Sequence, residues 1–368
     1  MHIGVPRERR ADEYRVGLTP AGVELLTATG HACSVEHDAG RGAGFSDVDY
    51  EKAGGRIVYS SEEAYGRADL VLKVAPLTTD EAAWLREGSI LMGFLHLAAG
   101  KPDVVQTLLA RYVTAIAYET IQQDGTLPVL VPLSQVAGRM APQVAAALLR
   151  NDRGGNGILL GGVPGVPPAE VVIIGAGVFG ATAARDFLEV GASVYLLDRS
   201  LARLQYLDEV YGSGRKPVLM VSHDFNIRKV VRFADVLVGS VLVPGARAPI
   251  VVTRGMVKSM KPRSVILDIS IDQGGCVETS RPTTHRDPTF VEENVTHYCV
   301  PNMTSVVART ATHAFNNAAW PFVREVAEQG LERALAEQPA LRPGIATHRG
   351  QVVNPTLAVH LGVREVPL

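Results

Sequence analysis

Three cysteines in 368 residues, Cys33, Cys276 and Cys299, are too few and too scattered for a disulfide framework or a zinc site. No metal is expected. Cys276 lies beside a candidate catalytic aspartate, but a small apolar packing role is the stronger expectation for it than a reactive thiol. Excess charge is lacking too: 36 Lys and Arg against 38 Asp and Glu leave a formal net charge of −2, which removes the case for nucleic acid or anionic membranes as partners. No apolar run approaches the ~20 residues needed to cross a bilayer. The opening MHIGVPRERR reads as a short strand followed by charges, not a signal peptide. The expectation is a cytoplasmic protein acting on a small molecule.

What the chain does have is length and apolar residues. At 368 residues, 46% of them hydrophobic and 20% charged, it exceeds the size at which one core keeps growing, so two domains are expected.

The most informative stretch runs from Val171 to Asp198, VVIIGAGVFGATAARDFLEVGASVYLLD. It predicts strand, glycine turn, helix and second strand, with an acidic residue closing the second strand. Gly175 permits the tight turn, Gly177 lets a pyrophosphate approach the backbone, and Gly180 lets helix and strand pack closely. The helix beginning near Val178 turns its unpaired N–H groups toward the phosphates. Asp198 falls where a carboxylate accepts hydrogen bonds from the ribose hydroxyls and repels a 2′-phosphate, so NAD is expected over NADP. The adjacent Arg199 is the one feature that favours the phosphate.

The N-terminal part alternates short apolar runs with helical segments. Strands are predicted at His2 to Pro6, Ala32 to Glu36, Asp69 to Val74, Ser89 to Leu95 and Val113 to Tyr118. A helix capped by Thr19, with Pro20 in its first position, ends at Gly30. Strands separated by helices imply a doubly wound parallel sheet, here without a glycine fingerprint. Ser134 to Leu149 reads as a long alanine-rich helix, followed by a glycine- and proline-rich loop from Arg153 to Pro168. The nucleotide sheet should continue through Val218 to Ser222, Asp235 to Leu242 and Ser264 to Ile271. A long helix is predicted from Thr304 to Ala336, then an extended Gly350 to Asn354 segment. The C-terminal piece is expected to return to the first domain. The fold class is therefore α/β, two Rossmann-like domains with a nucleotide domain (129–305) inserted into a substrate domain (1–128 and 306–368).

In open parallel sheets ligands bind beyond the carboxyl ends of the strands. Lys73 closes LVLKV, His96 closes ILMGFLH and Asp272 closes VILDISID, and the three are expected to meet across a cleft. A lysine and an arginine fix a carboxylate, while a histidine and an aspartate move protons near neutral pH. Arg15, in EYRVGLTP, is the natural second cation. Taken singly, Lys73 reads as a strand-end lysine snorkelling to water, Arg15 as a surface arginine and Asp272 as a loop aspartate, while His96 fits a hydrogen-bonded core histidine as well as a catalyst. Their joint placement favours chemistry.

The segments GVPRE with EYRVGLTPAGV, LVLKV, FLHLAA, AYET, GGVPGV, VIIGAGVFG, GSVLVPGARAP, DISIDQGGCVETSRPTTH and YCVPNM resemble those of bacterial alanine dehydrogenases, in the family's order and over nearly the whole chain. The resemblance implies a homohexamer that interconverts L-alanine, NAD and water with pyruvate, ammonium and NADH. It implies Arg15 and Lys73 as ligands of the substrate carboxylate, with Asn302 near the reacting carbon, and His96 and Asp272 as the catalytic pair. It places Ser134, Gly175, Gly177, Val178, Gly180, Asp198, Arg203, Ser222, Val241, Leu242 and Met303 around the cofactor. Gln135 departs from the pattern, where the family has glutamate. The alternatives are the soluble NAD-binding component of a proton-translocating transhydrogenase, a saccharopine dehydrogenase, and a non-catalytic NAD-binding regulator.

Overall fold

The computed structural model describes residues 1–243 and 247–368. Three positions of the GSVLVPGARAP block, Pro244, Gly245 and Ala246, lie outside the described residues. The chain divides into two compact units, Met1–Leu133 with Thr304–Leu368, and Ser134–Val243 with Arg247–Met303. The strands are, in chain order, β1 (His2–Val5), β2 (Ala32–Glu36), β3 (Arg56–Val58), β4 (Leu70–Leu72), β5 (Ile90–Gly93), β6 (Thr114–Ala117), β7 (Glu170–Ile174), β8 (Ser193–Asp198), β9 (Val218–Val221), β10 (Val236–Gly239), β11 (Val265–Asp268), β12 (Thr289–Glu292), β13 (Val295–Tyr298), β14 (Ile345–His348) and β15 (Gln351–Val352).

The first unit's sheet runs β15-β14-β6-β5-β4-β1-β2-β3, and the second unit's runs β12-β13-β11-β10-β7-β8-β9. Each contains the doubly wound order, reversing direction at its first strand: between β1 and β4 in one, between β7 and β10 in the other. Central strands such as ILMG and VILD are buried throughout, which is why they read as continuous apolar runs. Helices cover both faces of the first sheet: Phe315, Phe322 and Val326 pack on Ile3, Leu70 and Met92, while Val105 and Leu108 pack on Val71 and Leu91. In the second unit Ile227, Val230 and Met256 cover Val172, Leu237 and Ile266.

Both sheets depart from the purely parallel expectation at one edge. β14 runs antiparallel to β6 and to β15, and β12 antiparallel to β13. Two-residue turns make both hairpins: Glu293 and Asn294 have φ of 52° and 60°, and Arg349 and Gly350 have 48° and 77°. Positive φ at both positions matches the twist of the paired strands. The extended tail is thus shorter than predicted, because Gly350 belongs to the turn. β3, unpredicted, occupies the other edge of the first sheet.

Thr19 caps the helix Pro20–Ala28 through a bond from the Gly22 amide, as expected. The alanine-rich helix starts earlier than predicted, at Val131, and runs to Leu148. The C-terminal helix spans Ala308–Gln329 and is broken from Leu331–Glu337 by Gly330, at φ 77°.

Candidate active site

In the first unit, the loops after β1 and β4 flank the point where strand order reverses. The loop after β1 carries Glu8, Glu13 and Arg15, and Lys73 follows β4 directly. Gly17 makes their approach possible, because a Cβ there would stand 2.1 Å from the Leu72 carbonyl oxygen.

Lys73 is wholly buried, so it is not the snorkelling lysine it resembles in isolation. Its Nζ donates to Glu8 Oε2 and to the Ala75 carbonyl, each at 2.7 Å, and lies 3.6 Å from Glu81 Oε1. Glu8 also accepts the amide N–H groups of Val74 at 2.5 Å and Ala75 at 3.3 Å. Glu81 accepts the Tyr65 hydroxyl at 2.8 Å and the Thr78 amide at 2.7 Å. Burial alone would push the lysine toward neutrality, but Glu8 and Glu81 outweigh it and hold its pKa above the ordinary value. Burial acts on Glu8 in the opposite sense and raises it, against the pull of Lys73.

Arg15 is equally enclosed. It forks onto Glu13, Nε to Oε1 at 2.6 Å and Nη2 to Oε2 at 2.5 Å, and Nη1 donates to Thr304 Oγ1 at 3.1 Å. Burial works against ionised Glu13, yet Arg15 holds it below the usual carboxylate range. A pocket of about 520 Å³ opens against this cluster, lined among others by Arg7, Glu8, Glu13, Tyr14, Arg15 and Arg41. His96 lies three residues beyond the end of β5 in left-handed backbone, φ 43°. Glu119 accepts the amide N–H groups of Leu95 and His96 and lies 3.9 Å from His96 Nδ1.

In the second unit, β7 ends at the glycine turn. Gly175 has φ 104°, and a Cβ on Gly180 would stand 1.8 Å from the Gly175 carbonyl oxygen, so helix and turn are in backbone contact. A Cβ on Gly177 would meet nothing within 4 Å. That open space fronts the N-terminus of the helix Val178–Glu189, and it suits an anion there. Asp198 ends β8, accepting the Ala176 amide at 2.7 Å and the Ser200 amide at 2.8 Å, and Arg203 donates to the Ala176 carbonyl at 2.8 Å. The Ser222 amide donates to the Asp198 carbonyl oxygen at 2.9 Å. These residues therefore converge, and a dinucleotide fits them. Ser134 lies in the helix from Val131, Leu242 is 49% exposed and Met303 is buried.

The structure corrects a second strand-end placement, after that of His96 beyond β5. Asp268, not Asp272, closes β11, and Asp272 lies within a 3₁₀ turn, Ile269–Gln273. This turn is tied on three sides. Ser270 Oγ accepts the Val241 amide and donates to the Val241 carbonyl, both at 2.9 Å, Gln273 accepts the Val243 amide, and Asp272 accepts the Asn302 amide at 3.2 Å. Asp268 is buried and accepts the amides of Ser270, Cys276 and Val277. Burial raises its pKa despite those bonds. Burial and then Asp268 push the Cys276 thiol far up, which makes it a packing residue. All three cysteines are free and buried. Glu8, Glu13, Glu81, Glu119, Asp268 and Ser270 escaped the sequence reading, although all but Glu81 stand inside its motifs: Glu8 in GVPRE, Glu13 in EYRVGLTPAGV, Glu119 in AYET, and Asp268 and Ser270 in DISIDQGG.

Residues 4–137 match the family description "Alanine dehydrogenase/PNT, N-terminal domain" and residues 141–355 match "Alanine dehydrogenase/PNT, C-terminal domain". The chain belongs to the alanine dehydrogenase/PNT family. Alanine dehydrogenase of Halomonas elongata is 47% identical over 367 residues, covering 100% of this chain and 98% of its own. A solved L-alanine dehydrogenase superposes with a TM-score of 0.91 at 43% identity, covering 98% of this chain and 99% of that one. A transhydrogenase of Sinorhizobium meliloti, at 24% identity and TM-score 0.79 over 96% of this chain and 99% of its own, shares the fold. Among the described residues no helix is long and apolar enough to cross a membrane.

Proposed function

We propose that this alanine dehydrogenase family member catalyses the reversible, NAD-dependent oxidative deamination of L-alanine to pyruvate and ammonium. The observation that carries the reading is the pair of buried cations, Arg15 and Lys73, at the switch point of a sheet that has no glycine fingerprint of its own. A dinucleotide-type fold without the phosphate turn, but with two cations at its ligand-binding edge, suits a small carboxylate.

In this reading the first unit binds the substrate and the second binds NAD. Arg15 and Lys73 hold the substrate carboxylate and orient Cα, which supplies much of the rate. Gly175, Gly177, Gly180 and Val178 would seat the pyrophosphate, and Asp198 the ribose. Ser134, Arg203, Ser222, Val241, Leu242 and Met303 would surround the rest of the cofactor. NAD, when bound, supplies the hydride acceptor. Asp272 accepts the proton of the water that attacks the oxidised carbon, and the imidazole of His96 exchanges protons with the carbinolamine and carbonyl oxygens. Asn302, whose amide is bonded to Asp272, borders the reacting carbon. A homohexamer in the cytoplasm belongs to the same reading, and light scattering tests the assembly.

NADH formation from L-alanine, and NADH consumption with pyruvate and ammonium, test the function directly. A folded protein inactive in both directions would overturn it.

A further inference from the structure

The carboxylate seat of the first unit is already over-supplied with negative charge. Arg15 and Lys73 face Glu8, Glu13 and Glu81, and each of these five side chains is at most 2% exposed. A substrate carboxylate sets four acids against the two buried cations, with Arg7 and Arg41 at the exposed wall of the pocket. Groups in that position take up a proton rather than stay charged.

The three acids differ in what holds them. Glu13 is forked onto Arg15. Glu81 is fixed by the Tyr65 hydroxyl and the Thr78 amide. Glu8 lines the pocket, and its Oε1 accepts one amide among the described residues, that of Val74. A lone pair of that oxygen is therefore available to a proton.

We infer that Glu8 takes up one proton from solvent when a substrate carboxylate enters the Arg15–Lys73 seat, so that carboxylate binding is proton-linked at this residue. The inference rests on the first unit being the substrate-binding unit. The step is a proton transfer from water or buffer to the Glu8 carboxylate, with no other bond changing. The neutral acid becomes an O–H donor in place of a third negative charge. Burial, which raises the pKa of Glu8, favours the same outcome. The titratable and charged groups around it are Lys73 beyond β4, Arg7, Glu13 and Arg15 in its own loop, Glu81 and Tyr65 on the helices behind Lys73, and Asp38 and Arg41 in the pocket wall.

The test is calorimetric titration of pyruvate into the full-length protein saturated with NAD, in buffers of different ionisation enthalpy. Without NADH and ammonium nothing turns over. The wild type should take up about one proton per site, and pyruvate affinity should fall about tenfold per pH unit across the range in which Glu8 titrates. Glu8→Gln keeps an oxygen for Lys73 Nζ and the Ala75 amide and carries the charge of the neutral acid, at the cost of the Val74 bond. It should bind pyruvate with no uptake and little pH dependence. Because His96 also exchanges protons, His96→Gln is the second variant: it should retain the uptake, a result that supports the inference even if Glu8→Gln does not fold. Wild-type binding without uptake, or uptake that persists in Glu8→Gln or vanishes in His96→Gln, overturns the inference. A wild type that neither binds pyruvate nor oxidises L-alanine overturns the functional reading, and the inference with it.

Discussion

Glu119 holds His96 by the backbone, with one carboxylate oxygen on the His96 amide at 2.6 Å and the other on the Leu95 amide at 3.1 Å. A histidine at φ 43° is strained, and the two bonds are what keep it there. Glu119→Ala orphans both amides, each costing about 1–3 kcal/mol, and frees the imidazole to move. Alanine oxidation should fall at least about tenfold, at 1.4 kcal/mol per decade, while NAD affinity stays near wild type. Steady-state kinetics paired with an NAD titration check this, and normal turnover in a folded Glu119→Ala protein would remove the role assigned to Glu119.

Lys73→Ala removes the counter-charge of two buried carboxylates. The expected loss of stability is about 3–5 kcal/mol, far beyond that of an exposed lysine, and alanine turnover should fall with it. Adding Glu8→Gln should restore part of the stability, because one of the stranded charges is then neutral. Urea denaturation of the two single variants and the double variant measures the coupling; strict additivity would contradict it.

The two later glycines of the turn should separate folding from binding. Gly180→Ala places a methyl against the Gly175 carbonyl and should lower both thermal stability and NAD affinity. Gly177→Ala meets no protein atom, so the melting temperature should hold while NAD affinity drops at least about tenfold, since the pyrophosphate needs that space.

If Asp198 meets the adenosine ribose, as proposed, its carboxylate repels a 2′-phosphate and catalytic efficiency should favour NAD. Comparable efficiency with both dinucleotides would point to Arg199 or Arg203 as a phosphate ligand instead.

His297 supplies a pH dependence of stability. It is buried, with Nδ1 2.9 Å from the Val295 carbonyl and Nε2 2.8 Å from the Thr279 hydroxyl, a pairing that fits the neutral ring with Nδ1 as donor and Nε2 as acceptor. Burial lowers its pKa below 6.5. The unfolded chain therefore binds the proton more readily, and stability present above about pH 6.5 is lost as pH falls toward the folded value. His297→Gln should flatten that part of the curve, which denaturant midpoints between pH 7.5 and 5.5 would reveal.

The second unit was the more legible in sequence, because its strand, turn and helix each leave a local mark between Val171 and Asp198. Short or distant features were not. β3 has three residues, too few for a period to register. Asp272 was read as a strand end because the alternating isoleucines Ile269 and Ile271 carry the strand's pattern on past β11 into a 3₁₀ turn. Lys73 was recognised as a cation at the right place, but its partner Glu8 lies 65 positions away in the chain, and nothing local announces that pairing.

The first sheet is assembled from both ends of the chain: β6 closes its parallel run near residue 117, and β14, which pairs with it, begins at residue 345. The second unit, by contrast, is almost contiguous from Ser134 to Met303. During synthesis the second unit can therefore acquire its complete sheet while the first still waits for its edge strand and its covering helix, Ala308–Gln329. The cations of the carboxylate seat share that delay, since Arg15 receives its Thr304 hydroxyl only from the late segment. The nascent chain should gain the ability to hold a dinucleotide before it can hold a substrate.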